Sequence, residues 1–252
     1  MKDRNSGVDF IQSFGLSKTD CVSVVGSGGK SSLIKRLACE AHRRGWKTVV
    51  TTTTHIHLPF LKEGEEMLLT RGPLFAEKID ERASFCPPLI LVKEKKNDRK
   101  AKGFSPDELG PLVGHFFLLI EADGSKKKPF KVPNDTEPVV HPETTHTVIV
   151  TALDALGCPL REEWVHRLAL LPDALREEKI TPALVAEVLC EPSHYFHKIP
   201  PQSDIFFYFA GCNESNRGHL QELVSCIRHK GILFEIFAGE TGEIPWIERI
   251  SS

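Results

Sequence analysis

The feature that most constrains this chain is the stretch VVGSGGKSS at residues 24–32, where three glycines, a lysine and two adjacent hydroxyls follow an apolar run. The residues from 21 to 27 are typical of a buried strand that enters a glycine turn. After the lysine, apolar residues recur at i, i+3, i+4 and i+7, which predicts an amphipathic helix that ends at Gly45. The β-branched run 46–54 then predicts a second strand. This order of elements predicts the start of a parallel α/β sheet.

Later segments extend the same pattern. Residues 87–94 and 115–124 predict two further strands, residues 145–157 predict a strand and a turn, and two apolar runs near the end bracket a helix-like segment. The charged stretch that follows residue 93 predicts an exposed loop. We therefore predict a single P-loop NTPase-like α/β domain over residues 1–252, with a mostly parallel sheet flanked by helices and a partly helical C-terminal section. Residues of about 158–203 are a candidate for a small helical insert or lid.

Composition and charge narrow the function classes. The chain has 252 residues, of which 40% are hydrophobic, and its net charge is −2, which argues against broad electrostatic capture of nucleic acid or of an anionic membrane. No stretch approaches the roughly 20 apolar residues that span a bilayer, and the N-terminus has no apolar core of a secretion signal. The seven cysteines are widely spaced and form no C-x-x-C pair, so we expect reduced thiols in a cytoplasmic protein.

The glycine loop contains the parts that a phosphate site needs. Glycines let backbone N–H groups fold closely around an anion, a lysine adds a point charge near the β- and γ-phosphate oxygens, and the next hydroxyl is placed to ligate Mg²⁺. The standard spacing G-x-x-x-x-G-K-[ST] would need a glycine at Val24, so the loop is either a shorter variant or lacks its opening glycine. An ordinary turn between strand and helix is the alternative. The predicted phosphate-binding residues are Gly26, Ser27, Gly28, Gly29, Lys30, Ser31 and Ser32.

Nucleotide chemistry also needs an acid near the magnesium ion. Glu121 and Asp123 end the strand predicted at 115–124, and the carboxyl ends of neighbouring parallel strands meet at one edge of a sheet. We predict that one of them binds Mg²⁺ together with Ser31, directly or through water, and that the other orients the attacking nucleophile. Lys30, Glu121 and Asp123 are thus the predicted catalytic residues.

Other polar residues are expected on the same edge. Thr51 to Thr54 end the second strand, and Thr53 and Thr54 are predicted to contact the nucleotide or a second substrate, whereas strand propensity alone explains the first two threonines. His55 and His57 share a face and form a metal site only with a distant third ligand. Four lysines in GSKKKPFK, residues 124–131, form either a solvated loop or a clamp for an anionic substrate. These lysines are Lys126, Lys127, Lys128 and Lys131.

The order of motifs resembles the YqeC family. The motifs are VVGSGGKSSLI, VVTTTTHIHLP, LLIEADGSKKKPFKVP, EPVV and TALDALGCPL followed by VHR, and they cover about residues 20 to 170. The resemblance implies an accessory protein in the maturation of selenium-dependent molybdenum hydroxylases. It favours Lys131 among the lysines, and it includes Asp154, His166 and Arg167, for which we hypothesise a substrate pocket. The E-x-x-G at Glu121 is also similar to the switch motif of metallochaperone-type GTPases, which implies that the Gly124 backbone lies near the γ-phosphate.

The sequence thus predicts a nucleotide-binding accessory protein with Mg²⁺ and ATP or GTP as cofactors. CNES stands where a guanine-reading N-K-x-D would be expected, so the base stays open. The expected partners are the nucleotide, a molybdopterin-type cofactor and a molybdenum hydroxylase client. Two alternatives remain: a small-molecule kinase that acts on a cofactor precursor, and a non-catalytic carrier that holds a phosphate-bearing cofactor such as molybdopterin.

Overall fold

The computed structural model describes residues 9–57, 67–69, 79, 88–97 and 100–251. Within these ranges, the chain folds into an α/β arrangement in which a mostly parallel sheet is flanked by helices, as predicted. The α-helices are α1 (Phe10–Ser13), α2 (Lys30–Arg43), α3 (Pro106–Leu109), α4 (Pro182–Cys190) and α5 (Arg217–His229). Short 3₁₀ helices span Gly110–Leu112, Leu153–Ala155, Leu168–Leu170, Asp173–Leu175 and Phe196–Lys198.

The described residues form fourteen strands in three sheets. They are β1 (Cys21–Gly26), β2 (Thr48–Thr52), β3 (His55–His57), β4 (Met67–Leu69), β5 (Leu89–Val92), β6 (Glu94–Asn97), β7 (Lys100–Lys102), β8 (Phe117–Glu121), β9 (Phe130–Lys131), β10 (His146–Ala152), β11 (Val165–His166), β12 (Asp204–Ala210), β13 (Glu235–Glu240) and β14 (Trp246–Arg249). The main sheet has the order β14-β13-β12-β10-β1-β8-β2-β5-β4. All its neighbouring strands are parallel except β13 and β14.

The sheet order brings the two predicted phosphate-site elements together. Strand β1, which leads into the glycine loop, pairs in parallel with β8, and Val24 lies opposite Glu121. On the other side of β8, Thr52 of β2 also lies opposite Glu121. The carboxyl ends of β1, β8 and β2 therefore meet at one edge of the sheet, where α/β folds place their ligands.

Helices cover both faces of the sheet because its central strands are buried on both sides. One face packs under α1 and α2, where Leu33 and Leu37 meet Val22 and Val24 of β1 in a single core cluster. Helix α2 has the apolar i, i+3, i+4, i+7 pattern that the sequence predicts, and it ends before Gly45, whose φ of 69° is left-handed. The opposite face packs under α4 and α5. The result is a three-layer core, and α2 starts at the loop that the sequence singled out.

The segment predicted as an insert or lid shares this core. Residues 158–203 contain α4, β11 and three of the 3₁₀ helices. Leu184, Val188 and Tyr195 are buried in the same cluster as strand residues such as Ile149. The apolar face of α4 is therefore stabilised by the sheet itself.

The prediction of an exposed loop after residue 93 is wrong in part. Strands β6 and β7 pair antiparallel there, and β7 also pairs with β3. The charged sequence gave no alternating apolar pattern from which this small sheet could be predicted, because antiparallel strands pair through backbone hydrogen bonds. Few apolar residues anchor the segment: Ala101 and Phe104, which are both buried. The antiparallel edge strand β14 and the short helix α1 also had no distinct signal in the sequence.

Two further predictions concern the chain as a whole. In the part of the chain that the structure describes, no helix is long and apolar enough to cross a membrane. Six cysteines in that part are free thiols: Cys21, Cys39, Cys158, Cys190, Cys212 and Cys226. The seventh, Cys86, lies outside the described residues.

Candidate functional site

The start of the glycine loop is held tightly against neighbouring strands. The Gly26 N–H donates to Asp123 Oδ2 at 2.8 Å, and the Ser27 N–H donates to the Val150 carbonyl at 2.8 Å. Gly26 has a φ of 96°, and a Cβ there would lie 2.2 Å from the Val150 oxygen, so no other residue fits. The Ser27 hydroxyl donates to the Pro129 carbonyl at 3.1 Å. The first two residues of the loop are therefore structural anchors.

The rest of the loop carries uncommitted backbone donors. The N–H groups of residues 28–32 have no hydrogen-bond acceptor among the described residues, whereas the Leu33 N–H already donates to the Gly29 carbonyl. All five residues line one cleft, and α2 begins at Lys30. Free amides at a helix N-terminus carry partial positive charge and are suited to an anion. The part of the loop that is suited to an anion therefore begins at Gly28.

The cleft has a volume of about 970 Å³ and collects most of the predicted site residues. Those that line it are Gly28, Gly29, Lys30, Ser31, Ser32, Thr54, Glu121 and Gly124. Gly26, Ser27, Thr53 and Asp123 are not in its lining. The lining also includes Lys35, His55, Ser125, Lys126, Lys127, Glu137, His166 and Arg167.

Lys30 lies between the glycine loop and the acids of β8. Its ammonium donates to the Gly26 carbonyl at 2.8 Å and lies 2.8 Å from Asp123 Oδ1 and 3.6 Å from Glu121 Oε1. The side chain is only 3% exposed. Burial lowers the pKa of Lys30, but the nearby Asp123 and Glu121 carboxylates outweigh burial, so the net shift is upward. Lys30 is therefore a charged group held at the floor of the cleft.

Asp123 is the centre of a buried ion cluster formed by Lys30, Glu121, Asp123 and Lys131. Its Oδ2 accepts from Lys131 Nζ at 2.5 Å as well as from the Gly26 N–H, and its side chain is fully buried. Burial raises the pKa of Asp123, yet Lys131 and Lys30 outweigh it and hold the pKa below its usual range. The metal role predicted for Asp123 stays a prediction. Its contacts favour a positioning role, because the carboxylate ties the loop to two lysines.

Glu121 differs from Asp123 in facing the cleft. The Ser31 hydroxyl donates to Glu121 Oε2 at 3.4 Å, so a hydroxyl and a carboxylate lie side by side at the start of α2. Burial raises the pKa of Glu121, and the Lys30 charge offsets this only in part. A neighbouring divalent cation would favour the ionised carboxylate. Of the two acids, Glu121 is therefore the one that lies beside Ser31 at the cleft, and magnesium binding by these residues stays a prediction.

Three of the four threonines, Thr51 to Thr53, make hydrogen bonds within the fold, and the fourth, Thr54, lines the cleft. The hydroxyls of Thr51, Thr52 and Thr53 donate to the carbonyls of Leu91, Glu121 and Val139, respectively. Thr54 lines the cleft, and its hydroxyl lies 3.4 Å from that of Thr52. Of the threonines predicted to contact nucleotide, only Thr54 is positioned to do so.

No group of three or more His, Cys, Asp and Glu side chains among the described residues could hold a metal ion. His55 and His57 both lie in β3, and His55 lines the cleft, so the metal site predicted for them stays a prediction. A magnesium ion bound to a nucleotide needs few protein ligands, because water and phosphate oxygens supply the rest. The pair formed by Ser31 and Glu121 fits that requirement.

The four lysines of residues 124–131 have separate roles. Lys131, which the family resemblance favoured, is buried against Asp123 and does not line the cleft. Lys128 donates to the Val165 carbonyl at 3.2 Å and to the Glu162 carbonyl. Lys126 and Lys127 are exposed in the cleft. The predicted clamp for an anion would therefore involve only Lys126 and Lys127, and it stays a prediction beside the solvated loop.

The segment after β11 adds the substrate-pocket candidates. His166 and Arg167 line the cleft, whereas Asp154 is exposed in a 3₁₀ helix outside its lining. Arg167 Nη2 donates to Glu137 Oε2 at 2.7 Å. Sequence reasoning gave Glu137 no role, although it stands in the EPVV motif, because a glutamate before a proline has no distinctive pattern.

His166 makes the stability of this region dependent on pH. Burial, together with the cations Arg167, Lys131 and Lys126, lowers the pKa of His166 to about 4. The unfolded chain binds this proton near pH 6.5, so the stabilisation is complete above pH 6.5 and is lost as the pH falls towards 4. We expect His166→Gln to reduce the decline in unfolding free energy between pH 6.5 and 4.5. Urea titrations at several pH values check this, and His115→Gln, at an exposed histidine, is the control. Equal slopes for His166→Gln and wild type would contradict it.

Comparison with known proteins agrees with the motifs. The family described as YqeC protein matches residues 22–169. A relative named Uncharacterized protein YqeC, from Escherichia coli (strain K12), is 31% identical over 191 residues, which cover 71% of each chain. No solved structure matches this chain. The matched range contains the glycine loop, the ion cluster and the cleft residues up to Arg167. The chain therefore belongs to the YqeC family.

Proposed function

We propose that this protein binds a nucleoside triphosphate with Mg²⁺ in the cleft and hydrolyses it or transfers its γ-phosphate. The observation that carries the proposal is the row of uncommitted N–H groups at residues 28–32, which line the cleft beside the Lys30 ammonium. Backbone donors, a helix N-terminus and a lysine at one point form an arrangement suited to a polyphosphate.

The donor set also fits a magnesium ion. The Ser31 hydroxyl and the Glu121 carboxylate would hold the ion, and the nucleotide and water would complete its shell. Bound Mg²⁺ would neutralise charge on the β- and γ-phosphate oxygens. Lys30 would add a second positive charge there, since its ammonium already lies within 3.6 Å of Glu121.

The chain's own residues supply mainly positioning and charge, which is most of what phosphoryl transfer requires. Asp123 orients Lys30 and fixes the Gly26 amide, so the loop keeps its shape before a ligand arrives. Gly124 and Thr54 lie on the same cleft and are placed to contact the γ-phosphate or the nucleophile. Preorganised groups of this kind cost little reorganisation during the reaction.

Calorimetry with ATP, GTP, their non-hydrolysable analogues and molybdopterin tests the proposal. We expect at least one Mg²⁺–nucleotide to bind. Turnover without an added acceptor would favour hydrolysis over the kinase alternative. Binding of molybdopterin but of neither nucleotide would contradict the proposal and favour the carrier.

The Ser31 hydroxyl should matter more than that of its neighbour. We expect Ser31→Ala to weaken Mg²⁺-dependent nucleotide binding by about tenfold, because one metal ligand is lost. Ser32→Ala is the matched control, since Ser32 is equally exposed at the cleft but has no contact with Glu121. Calorimetry with and without Mg²⁺ compares the variants. Equal losses in the two variants, or a loss that persists without Mg²⁺, would remove Ser31 from the metal site.

The wider role rests on the motif resemblance. A nucleotide-dependent step in the maturation of selenium-dependent molybdenum hydroxylases would use a cleft that has room for a nucleotide beside His166 and Arg167. We propose this role with a molybdopterin-type cofactor and a hydroxylase client as partners. Deletion of the gene in a host with such an enzyme, followed by assay of the hydroxylase, tests it. Full hydroxylase activity in the deletion strain would overturn the role.

A further inference from the structure

A second set of cationic groups lines the cleft beside the glycine loop. We name it the basic wall and define it as Lys126, Lys127 and Arg167. The segment that carries the two lysines contacts the loop, because the Pro129 carbonyl accepts from the Ser27 hydroxyl. Strands β9 and β11 pair with Lys131 opposite His166, which brings the segment of Arg167 next to that of the lysines. The wall is therefore built by two parts of the chain that the tertiary fold joins.

The backbone of the basic wall is strained at all three residues. Lys126, Lys127 and Arg167 have φ angles of 49°, 62° and 62°. Among the residues that the structure describes, these are the only non-glycine residues with positive φ. Long side chains disfavour this conformation, and strain of this kind is concentrated at functional sites. Glycine would fit each of these φ angles better than lysine or arginine does.

Arg167 has donors left over after its structural contact. Its Nη2 donates to Glu137 Oε2, whereas its Nη1 is buried and has no partner among the described residues. A guanidinium carries five N–H donors in a planar fork that matches phosphate and carboxylate oxygens. Nη2 of Arg167 is thus held in place by Glu137, and the neighbouring Nη1 has unused donors.

The exposed lysines of the wall are also uncommitted. Neither Lys126 nor Lys127 forms an ion pair in the described part of the chain. The acids on the cleft, Glu121 and Glu137, are each already within 4 Å of another cation. The buried His166 beside the wall has a pKa lowered partly by Arg167, Lys131 and Lys126, so it adds a neutral ring. The wall therefore carries excess positive charge that faces the cleft.

We propose that the basic wall is a second anion-binding site, which takes a small phosphomonoester or oxyanion at the same time as the nucleotide. The Lys126 and Lys127 ammonium groups neutralise the anion, and Nη1 of Arg167 donates to its oxygens. The cleft of about 970 Å³ lies at the upper end of the ~300–1,000 Å³ range of ligand pockets and leaves space for two small molecules. The simultaneous occupancy rests on the proposed nucleotide function, and the anion site itself rests on the wall alone.

Calorimetry with inorganic phosphate tests this site while the glycine loop is saturated with Mg²⁺ and a non-hydrolysable nucleotide. The full-length chain is compared with Lys126→Gly/Lys127→Gly, which removes both charges and also relieves the positive φ. We expect the double variant to bind phosphate at least tenfold more weakly, to keep its nucleotide affinity within threefold and to melt no lower than wild type. Arg167→Gln is expected to weaken phosphate binding independently. Lys18→Gly, at an exposed lysine outside the cleft, is the control.

The outcomes separate this proposal from the proposed function. If nucleotide binds but phosphate does not, or if phosphate binding is unchanged in the wall variants, the second site is refuted and the nucleotide site stands. A parallel loss of nucleotide affinity in the wall variants would assign the lysines to the nucleotide and refute the second site. If no nucleotide binds, phosphate is titrated alone against the wall variants and Lys30→Met. A loss confined to the wall variants then supports the anion site, and any other pattern refutes it.

Discussion

Replacing Lys30 with methionine is expected to weaken binding of a Mg²⁺–nucleotide by about 10- to 100-fold while the chain stays folded. A hydrogen bond to a charged group contributes about 1.5–3 kcal/mol, which corresponds to that range of affinity. Methionine keeps an apolar stem of similar length. Asp123 Oδ2 retains Lys131 at 2.5 Å and the Gly26 N–H, so the carboxylate keeps a cation and a donor although Oδ1 loses its contact with Lys30. Glu121, whose pKa burial already raises, accepts a proton more readily once the cation is gone.

Lys131→Met is the matched control for this change. Lys131 and Lys30 both pair with Asp123, but only Lys30 lines the cleft. Calorimetry with a non-hydrolysable ATP or GTP analogue should show the large loss for Lys30→Met and a loss below about threefold for Lys131→Met. Equal losses would mean that Lys30 acts through Asp123 and not on the phosphates. Unchanged binding in Lys30→Met would remove this residue from the nucleotide site.

The second large effect is expected in Asp123→Ala, which should lower the free energy of unfolding by about 3–5 kcal/mol. The substitution leaves two buried ammonium groups, those of Lys30 and Lys131, without their closest carboxylate. It also leaves the Gly26 N–H without an acceptor. The remaining acids are farther away, since Glu121 lies 3.6 Å from Lys30 and Glu137 lies 3.9 Å from Lys131. For a chain of this size the melting temperature should fall by roughly 6 to 20 °C.

Urea unfolding at pH 7 measures this change, and a double variant tests its cause. If an unpaired Lys131 is responsible, Asp123→Ala/Lys131→Met should recover part of the lost stability. Asp154→Ala is the control, because Asp154 is exposed and forms no ion pair in the described residues; its effect should stay within about 0.5 kcal/mol. A loss for Asp123→Ala as small as that of the control would show that the ion cluster contributes little to stability.

A comparison of Asp123→Asn with Asp123→Ala tests the prediction that Asp123 binds the magnesium ion. If Asp123 positions the loop, Asp123→Asn should recover part of the stability, since an amide oxygen still accepts from Gly26, and its nucleotide affinity should not acquire a new dependence on Mg²⁺. If Asp123 binds the ion, Asp123→Asn should resemble Ser31→Ala in its response to Mg²⁺. The two readouts therefore distinguish the roles without relying on a loss of activity.

Elements whose signals are local were predictable from the amino-acid sequence. The helix that begins at Lys30 was predictable because its apolar residues recur at helical spacing within one segment. Strands β1, β2 and β8 were predictable because buried parallel strands are continuous apolar runs. The short antiparallel strands after residue 93 were not predictable, because they pair through backbone hydrogen bonds that any side chains allow. Strand ends and the helix start were therefore enough to predict that the glycine loop and the acids of β8 lie at the same edge of the sheet.

The role of each polar residue at that edge depends on tertiary contacts that no local pattern contains. Asp123 and Glu121 are equivalent in sequence, but Asp123 meets Gly26, which lies 97 positions away, and is buried, whereas Glu121 reaches Ser31 beside the cleft. The lysines of residues 124–131 likewise separate into buried, structural and exposed members according to which distant segment packs against each. The physical reason is that periodicity fixes the direction of a side chain relative to its own element, while burial and partners depend on segments that fold back from far along the chain.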